Sequence, residues 1–540
     1  MIKQKAGWTM NLVTEEWVPV ITMDGKPDFA SLMQVFTEGE KFADLSVRPH
    51  ERVALMRLFI CIAQAALDGP KNKDDWKTAP DKLPDAARKY LENLKIPFDL
   101  FDKKNPFLQI VGLKSKELTP ISKLDLFLAT GNNTTLFDHE ANGVENRLIE
   151  SRKIPLMLLT YQCFSPGGGL PITSWGKIKT GQVGNPDTLC ITGGMYHTFL
   201  REYNLLKTIC LNLLPKTTVR QHYGAINNDG YWGRPVWENW PKKSDDKKGI
   251  QNATQTYLGR LVPICRWVKI EPDLSGMHCG KGFDYPVMDR KVRKQKKNLP
   301  NLPIWPAEPT AAVVLNKDKT ERFVLGAKPD KAIWRELAAL LIHRNKNSVG
   351  GPLVFQNDLP DEFDVHVCAL IRNQATIESM VESVCSVSVK LLNEGGRGIY
   401  EWGVEQSEWR ARSLGYAIEI YRRNIDRFWD QRVEQAGKDR NKIKAKLHSM
   451  AMRTYWTAIE KQRHLLMSCV EAFGTDALEP ARQVWGKTLH KAARETYKVA
   501  CGQETPRQIR AFALGCKKLF LEKKVAEEEN EEQNIDGGEE

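Results

Sequence analysis

The sequence predicts an α+β protein: a large mixed α/β N-terminal domain over residues 1–385, a C-terminal antiparallel four-helix bundle over 386–524, and a disordered acidic tail over 525–540. Three observations predict it. Short strand-like runs and turn signals are interleaved with helical patterns through the first two thirds of the chain. Four amphipathic stripes then follow one another with short connections. The last sixteen residues, Val525 to Glu540, hold eight acids and no Lys or Arg, a composition that cannot bury a core.

Residues 11–36 read as short strands around a turn at Asp24-Gly25-Lys26-Pro27. Pro49 to Leu67 reads as a buried helix, with Val53, Met56, Phe59, Ile60 and Ala63 at helical spacing and Gly69-Pro70 as its stop. Residues 100–250 are rich in Gly, Pro, Asn and Trp, and loops that long in a folded domain are usually functional. Residues 251–330 read as strands joined by a Pro- and Lys-rich segment, and helices resume over Lys331 to His343 and after Ala369. From about Glu405 the stripes begin. The first is Leu414, Ile418, Tyr421, Ile425 and Phe428; the second is Leu447, Ala451, Tyr455, Ala458 and Leu465. The third is Leu478, Ala481, Trp485, Leu489 and Ala492, and the fourth is Ile509, Phe512, Cys516 and Leu519. Thr505-Pro506-Arg507-Gln508 is a capping box with Pro at the first helical position.

No window approaches the roughly 18 uninterrupted apolar residues of a membrane span, and Met1-Ile2-Lys3-Gln4-Lys5 lacks the apolar run of a secretory signal. The 11 cysteines are scattered singly, which points to reduced thiols in a cytoplasmic protein. The net charge is +12 despite the acidic tail, so the body of the chain is more basic still. A polyanion, most simply nucleic acid, is the partner that charge suggests; a solvated basic surface is the alternative.

Catalytic signatures fail on inspection. Gly167-Gly168-Gly169 followed by Gly176-Lys177 has the wrong spacing for a phosphate loop, and Ile178 stands where Ser or Thr must hold magnesium. Cys265, His278 and Cys279 fall short of the four ligands of a structural zinc, and no CxxC pair exists. The ten histidines form no hydrolase or metalloprotease pattern. No cofactor, metal or catalytic residue is therefore expected, and the chain is read as a non-enzyme.

Three constellations fit duplex DNA instead. In Ser165-Pro166-Gly167-Gly168-Gly169, three residues without Cβ let the backbone approach a partner and offer it N–H donors; a flexible turn is the other reading. Arg290-Lys291-Val292-Arg293-Lys294-Gln295-Lys296-Lys297 has six basic residues in eight, a density suited to phosphates or to free solvent. In Ile371-Arg372-Asn373-Gln374-Ala375-Thr376-Ile377, the Asn-Gln pair suits base edges or a place in a base stack, and equally a polar helix start or turn.

Asn11-Leu12-Val13-Thr14-Glu15-Glu16-Trp17-Val18-Pro19-Val20 resembles the opening of the large-subunit family of type I-E CRISPR surveillance complexes (Cascade), the CasA family. Asn105-Pro106-Phe107-Leu108-Gln109, Leu136-Phe137-Asp138-His139, the Ser165–Gly169 run, Ile304-Trp305-Pro306 and Asn373–Ile377 are similar to that family's segments in the same order. Met10 matches the family's usual first residue, which makes residues 1–9 an extension or a start-site choice.

The resemblance implies antiviral defence by crRNA-guided DNA recognition. The family reads the short protospacer-adjacent motif (PAM) of double-stranded DNA from the minor groove and starts R-loop formation. Carried over by position, Gly167, Gly168 and Gly169 form a glycine loop, Gln374 is a wedge with Asn373 beside it, and Lys296 is a lysine finger, with Lys294 and Lys297 equally basic neighbours. Arg290, Lys291, Arg293, Lys294 and Lys297 would then meet phosphates. Leu136, Phe137 and Asp138 would lie in the loop that contacts the crRNA end and the PAM region. Asp138 departs from the Asn of the family's best-known member, and an ionised carboxylate cannot donate a hydrogen bond. The implied partners are crRNA, target duplex DNA, the small-subunit dimer, the backbone subunits, the crRNA 5′-end subunit, and a helicase–nuclease or a nuclease borne by the complex. No membrane partner is implied. A nuclease with an unrecognised site and a nucleic-acid scaffold outside CRISPR defence are the competing classes.

Overall fold

The computed structural model describes residues 10–94, 98–127, 149–227, 230–285, 308–315, 322–345, 349–373 and 375–519. The chain divides into two compact units, Met1–Val387 and Ser388–Glu540.

In the first unit, β1 (Val18–Thr22) and β2 (Pro27–Ala30) form the expected hairpin, with Val18 opposite Ala30. The expected strand character stops there. Leu32–Thr37 is a helix, α1, because Ser31 and Gln34 close a capping box: Gln34 Oε1 accepts from Ser31 N at 2.7 Å and Ser31 Oγ from Gln34 N at 3.2 Å. β3 (Phe42–Leu45) completes the sheet β2-β1-β3. α2 (Pro49–Leu67) is buried almost all round, as its apolar run requires. The helices α3 (Lys73–Lys77) and α4 (Ala79–Glu92) follow, and α4 packs on α2.

β4 (Lys114–Ser115), β5 (Gly168–Trp175) and β6 (Ile178–Asn185) form a second antiparallel sheet, and the wholly buried α5 (Ile154–Phe164) leads into β5. β7 (His197–Arg201) precedes α6 (Leu205–Leu211), α7 (Lys216–Asn227), α8 (Lys247–Gln255) and α9 (Tyr257–Leu261). The expected strands after residue 251 therefore begin later, at β8 (Arg266–Ile270), which pairs with β9 (Met277–Lys281). β10 (Val313–Leu315) and β11 (Arg322–Val324) form another pair. Within Lys331–His343 helix is confined to a 3-10 turn and the short α10 (Leu337–Leu340). The helix expected after Ala369 does not begin there, and the chain is strand up to Ser388 apart from the hairpin tip. β12 (Glu362–Asn373) and β13 (Thr376–Ser388) are long strands in a sheet ordered β13-β12-β7. Between Glu378 and Val384 exposure alternates residue by residue, the period of a strand with one covered face.

A buried ion pair ties α2 to segments distant in the sequence of this unit. Arg57 donates to Glu308, to Leu261 O at 2.8 Å and to Arg260 O at 2.6 Å. Removing one member would strand a buried charge, so Glu308→Ala is expected to destabilise the first unit by about 3–5 kcal/mol, read by urea unfolding at tryptophan fluorescence. The pair also makes stability depend on pH. Burial raises the Glu308 pKa, but the guanidinium groups of Arg57 and Arg260 outweigh it and hold it below the ordinary 4.5. Its contribution is therefore complete above 4.5 and is lost as pH falls through the lower folded-state value. Glu308→Ala should lack that part of the acid transition.

The second unit is helical throughout its described residues. A 3-10 turn (Val389–Leu392) leads to α11 (Glu394–Ile425), α12 (Trp429–Gln435), α13 (Arg440–Glu460), α14 (Arg463–Glu471), α15 (Leu478–Ala500) and α16 (Pro506–Leu519). All four stripes lie on helices, with three adjustments. The first helix starts about twenty residues before its stripe, at Glu394. The second stripe is divided into α13 and α14 at Lys461-Gln462, and Phe428 lies beyond α11, 62% exposed. α13 and α15 bond to the backbone of α11: Tyr455 OH donates to Ser407 O at 3.0 Å and Trp485 Nε1 to Gly403 O at 3.1 Å. A Cβ on Gly403 would lie 2.1 Å from Leu466 Cδ1, so that side chain would have to shift to admit one. The capping box of α16 is formed: Gln508 Oε1 accepts from Thr505 N at 2.8 Å, and Thr505 Oγ1 from Gln508 N at 3.3 Å. The acidic tail lies outside the described residues. No described helix is long and apolar enough to cross a membrane.

Candidate nucleic-acid interface

α5 ends at Phe164, and the chain runs through Ser165, Pro166 and Gly167 into β5 at Gly168. The fully buried Arg266, at the start of β8, fixes this bend from beneath. Its guanidinium donates to Ser165 O (3.1 Å), Pro166 O (3.1 Å), Pro186 O (3.0 Å), Cys265 O (3.0 Å) and Ser165 Oγ (3.2 Å). Carbonyl dipoles thus solvate a buried charge and clamp two chain segments together.

The glycines follow from this geometry. A Cβ on Gly167 would lie 2.5 Å from Asn185 O. Gly168 has φ +142°, where L side chains are strained, and its carbonyl accepts from Asn185 Nδ2 at 2.8 Å. A Cβ there would stand 3.1 Å from Cβ of Ala375. Gly169 is exposed. Ala375 and Asn373 belong to the tip of the β12–β13 hairpin, where Thr376 Oγ1 donates to Asn373 O at 2.9 Å. Asn373 therefore sits at a turn, and it is exposed.

One carboxylate links loop and tip. Asp187 Oδ1 accepts from Gly167 N at 2.8 Å, and Asp187 Oδ2 pairs with Arg372 at 2.6 Å. Two of the three sequence constellations thus share one surface. It offers main chain without Cβ beside a side-chain amide, a combination suited to a groove edge.

Gln374, the loop residues Leu136, Phe137 and Asp138, and the basic residues Arg290, Lys291, Arg293, Lys294, Lys296 and Lys297 lie outside the described residues, as does Ile304-Trp305-Pro306. The residues flanking the basic segment are held. Tyr285 OH accepts from Ile264 N at 2.7 Å, and Glu308 is the buried partner of Arg57. Sequence reasoning missed Asp187, Asn185 and Arg266, which are single polar residues without periodicity or motif.

The rejected metal candidates each have a partner. Cys265 Sγ accepts from Leu189 N at 3.4 Å, Cys279 Sγ lies 3.4 Å from Tyr161 OH, and His278 Nδ1 accepts from Ser115 N at 3.1 Å. Burial pushes the Cys265 thiol up to about 12. Among the described residues no group of three His, Cys, Asp or Glu side chains is arranged to hold a metal ion.

Residues 11–496 match the family model described as CRISPR-associated protein Cse1. The chain belongs to the Cse1 family. The CRISPR-associated protein CasA/Cse1 of Thermus thermophilus is 25% identical over 513 residues, covering 90% of this chain and 91% of that relative. The crystal structure of Thermobifida fusca Cse1 superposes with a TM-score of 0.71 at 19% identity, covering 95% of this chain and 98% of that one. A chain of a structure described as a CRISPR RNA-guided surveillance complex gives 0.65 at 16% identity, covering 95% and 100%. The Cse1 fold therefore extends through both units, and the resemblance noted in the sequence is to this same family.

The Asp187 bridge is open to test. Asp187→Ala removes a charge-assisted acceptor from Gly167 N–H and unpairs Arg372, so amide hydrogen exchange should speed about ten-fold in peptides containing Gly167 and Asn373. Asp187→Asn, which keeps an acceptor but no charge, should fall between. Unchanged exchange around Asn373 would mean that the tip is held by other contacts.

Proposed function

We propose that this Cse1-family chain is the large subunit of a type I-E CRISPR surveillance complex, which reads the PAM of target duplex DNA and starts the unwinding that lets crRNA pair. The approach of Gly168 to Ala375, which brings the glycine loop to the hairpin tip, carries the reading. A PAM reader that also opens the duplex needs its groove contact and its wedge side by side.

The chain's part is recognition and opening, with no chemical step of its own. Basic side chains of residues 290–297 hold the phosphates while the complex scans. On a correct PAM, the Gly167–Gly169 backbone and a lysine among Lys294, Lys296 and Lys297 bond minor-groove acceptors, whose degenerate code admits several related motifs. Gln374, with Asn373 beside it, then enters the first base step at an unstacking cost of about a few kcal/mol. Leu136, Phe137 and Asp138 face the crRNA end. Base pairing with the guide reads the rest of the target. The chain's partners are crRNA, the small-subunit dimer, the backbone subunits and the crRNA 5′-end subunit. Cleavage falls to a helicase–nuclease or to a nuclease carried by the complex.

Replacing Lys294, Lys296 and Lys297 with Ala should weaken DNA binding and reduce the slope of log affinity against log salt by about two to three; an unchanged slope would place the run in free solvent. Recognition and opening should separate genetically. Gly168→Asp, checked for folding by thermal denaturation, should abolish binding to PAM-bearing targets whether or not they are pre-opened. Gln374→Ala should keep much of the PAM affinity but slow R-loop formation, and mismatched bases next to the PAM should rescue it. Equal rescue of both variants in permanganate footprinting, or of neither, would remove Gln374 from the wedge role.

A further inference from the structure

At the opposite end of β5 from the glycine loop, roughly 20 Å along the strand, the chain surrounds a cavity of about 500 Å³. Its lining includes Asn105, Trp175, Glu238, Asn239 and Trp240, with Lys104 and Lys242 at its edge. The Asn105–Gln109 motif thus finds a place that the PAM reading leaves unused.

The aromatic walls are held in place. Phe98 lies 5.0 Å, centroid to centroid, from both Phe107 and Trp237. The Trp237 indole donates to Tyr90 OH at 2.8 Å. Trp175 is supported edge-on by Trp267 at 5.4 Å. Trp240 and Trp175 are half-buried, so each keeps part of its ring surface accessible. Lys104 and Lys242 are exposed; the Lys242 backbone N–H donates to Asp246 Oδ2 at 3.1 Å, and its ammonium is among the charges that lower the pKa of that carboxyl. Glu238 Oε1 accepts from Tyr90 OH at 2.6 Å, leaving its other oxygen to accept from a ligand.

We infer that this cavity is a nucleotide-binding site, taking one unpaired base against the tryptophans with its phosphate on Lys104 and Lys242. Aromatic surface supplies stacking that any base can use, and two exposed cations at the edge complement a phosphodiester. The amides of Asn105 and Asn239 offer donors and acceptors, and Glu238 offers an acceptor for an exocyclic amino group, so bases that carry one are favoured. The same charges disfavour an apolar or basic peptide. A nucleoside phosphate reaches such a site either in a single strand or as a free nucleotide. The inference is independent of PAM recognition, since none of these residues belongs to the glycine loop or the hairpin tip.

Fluorescence anisotropy of labelled oligo(dC) five nucleotides long, with the full-length chain, tests it. Trp240→Ala, which changes no charge, should weaken binding about ten-fold, and Trp240→Phe should restore most of it. Lys104→Glu with Lys242→Glu should weaken it at least as much and flatten its salt dependence. Oligo(dC) should bind more tightly than oligo(dT), and Glu238→Gln should narrow that difference. Competition by cytidine 5′-monophosphate at an affinity close to that of the oligonucleotide assigns the site to free nucleotides; much weaker competition assigns it to a strand. Gly168→Asp should leave this binding intact while losing PAM-duplex binding, so the two readings stand or fall separately. Unchanged affinity in Trp240→Ala, loss in Gly168→Asp, or displacement of the probe by a proline-rich peptide and not by the nucleotide would overturn the proposal.

Discussion

The carboxylate of Asp187 has two oxygens and two obligations. One oxygen accepts from the Gly167 amide; the other pairs with Arg372, beyond a long stretch of intervening chain. Neither the glycine bend nor the hairpin tip has a large apolar face with which to hold itself. A short charged bridge is one of the few interactions able to position exposed, side-chain-poor backbone, and it acts here between two segments that are themselves anchored: the bend by Arg266 from below, the tip by the long ladder of β12 with β7. Position at the surface is thus inherited from burial beneath it.

Two arginines show two solutions to the same problem. Arg57 is neutralised by Glu308, and its remaining donors reach carbonyls of α9. Arg266 spreads its charge over several carbonyl oxygens and a hydroxyl. The first arrangement ties the unit's stability to the ionisation of one carboxyl. The second has no carboxylate among its contacts, so the hold of Arg266 on the bend does not depend on the charge of one, whereas the Asp187 bridge above it does.

Legibility in the sequence followed the range of the interactions. α2 announced itself through a long apolar run opened by Pro49, and α16 through the Thr505/Gln508 box, because both signals act within a turn or two. The stretch after Ala369, which is the end of β12 and all of β13, was read as helix, since a short apolar run fits either element and the pairing of β12 with β7 is visible only in space. The start of α11 was hidden by Gly395 and Gly396, which are there for packing: a Cβ on Gly396 would lie 2.2 Å from Lys390 O. At the candidate site, the glycines and Asn373 were legible as unusual local composition. Asp187 and Arg266 were not, because each is an ordinary charged residue whose meaning comes from partners far along the chain.

Gly168 has a consequence for how such a surface diverges. At φ +142° and against Ala375, the position is closed to other residues, so what the loop presents is main chain, the same in every protein. A contact made of peptide groups cannot be re-tuned by exchanging one side chain for another. Under the proposed function, a shift in the motif this chain accepts must come from residues around the loop, Asn373 or the basic segment, while the loop remains an invariant reference against which they are set. Drift in specificity and retention of the loop are then compatible within one lineage.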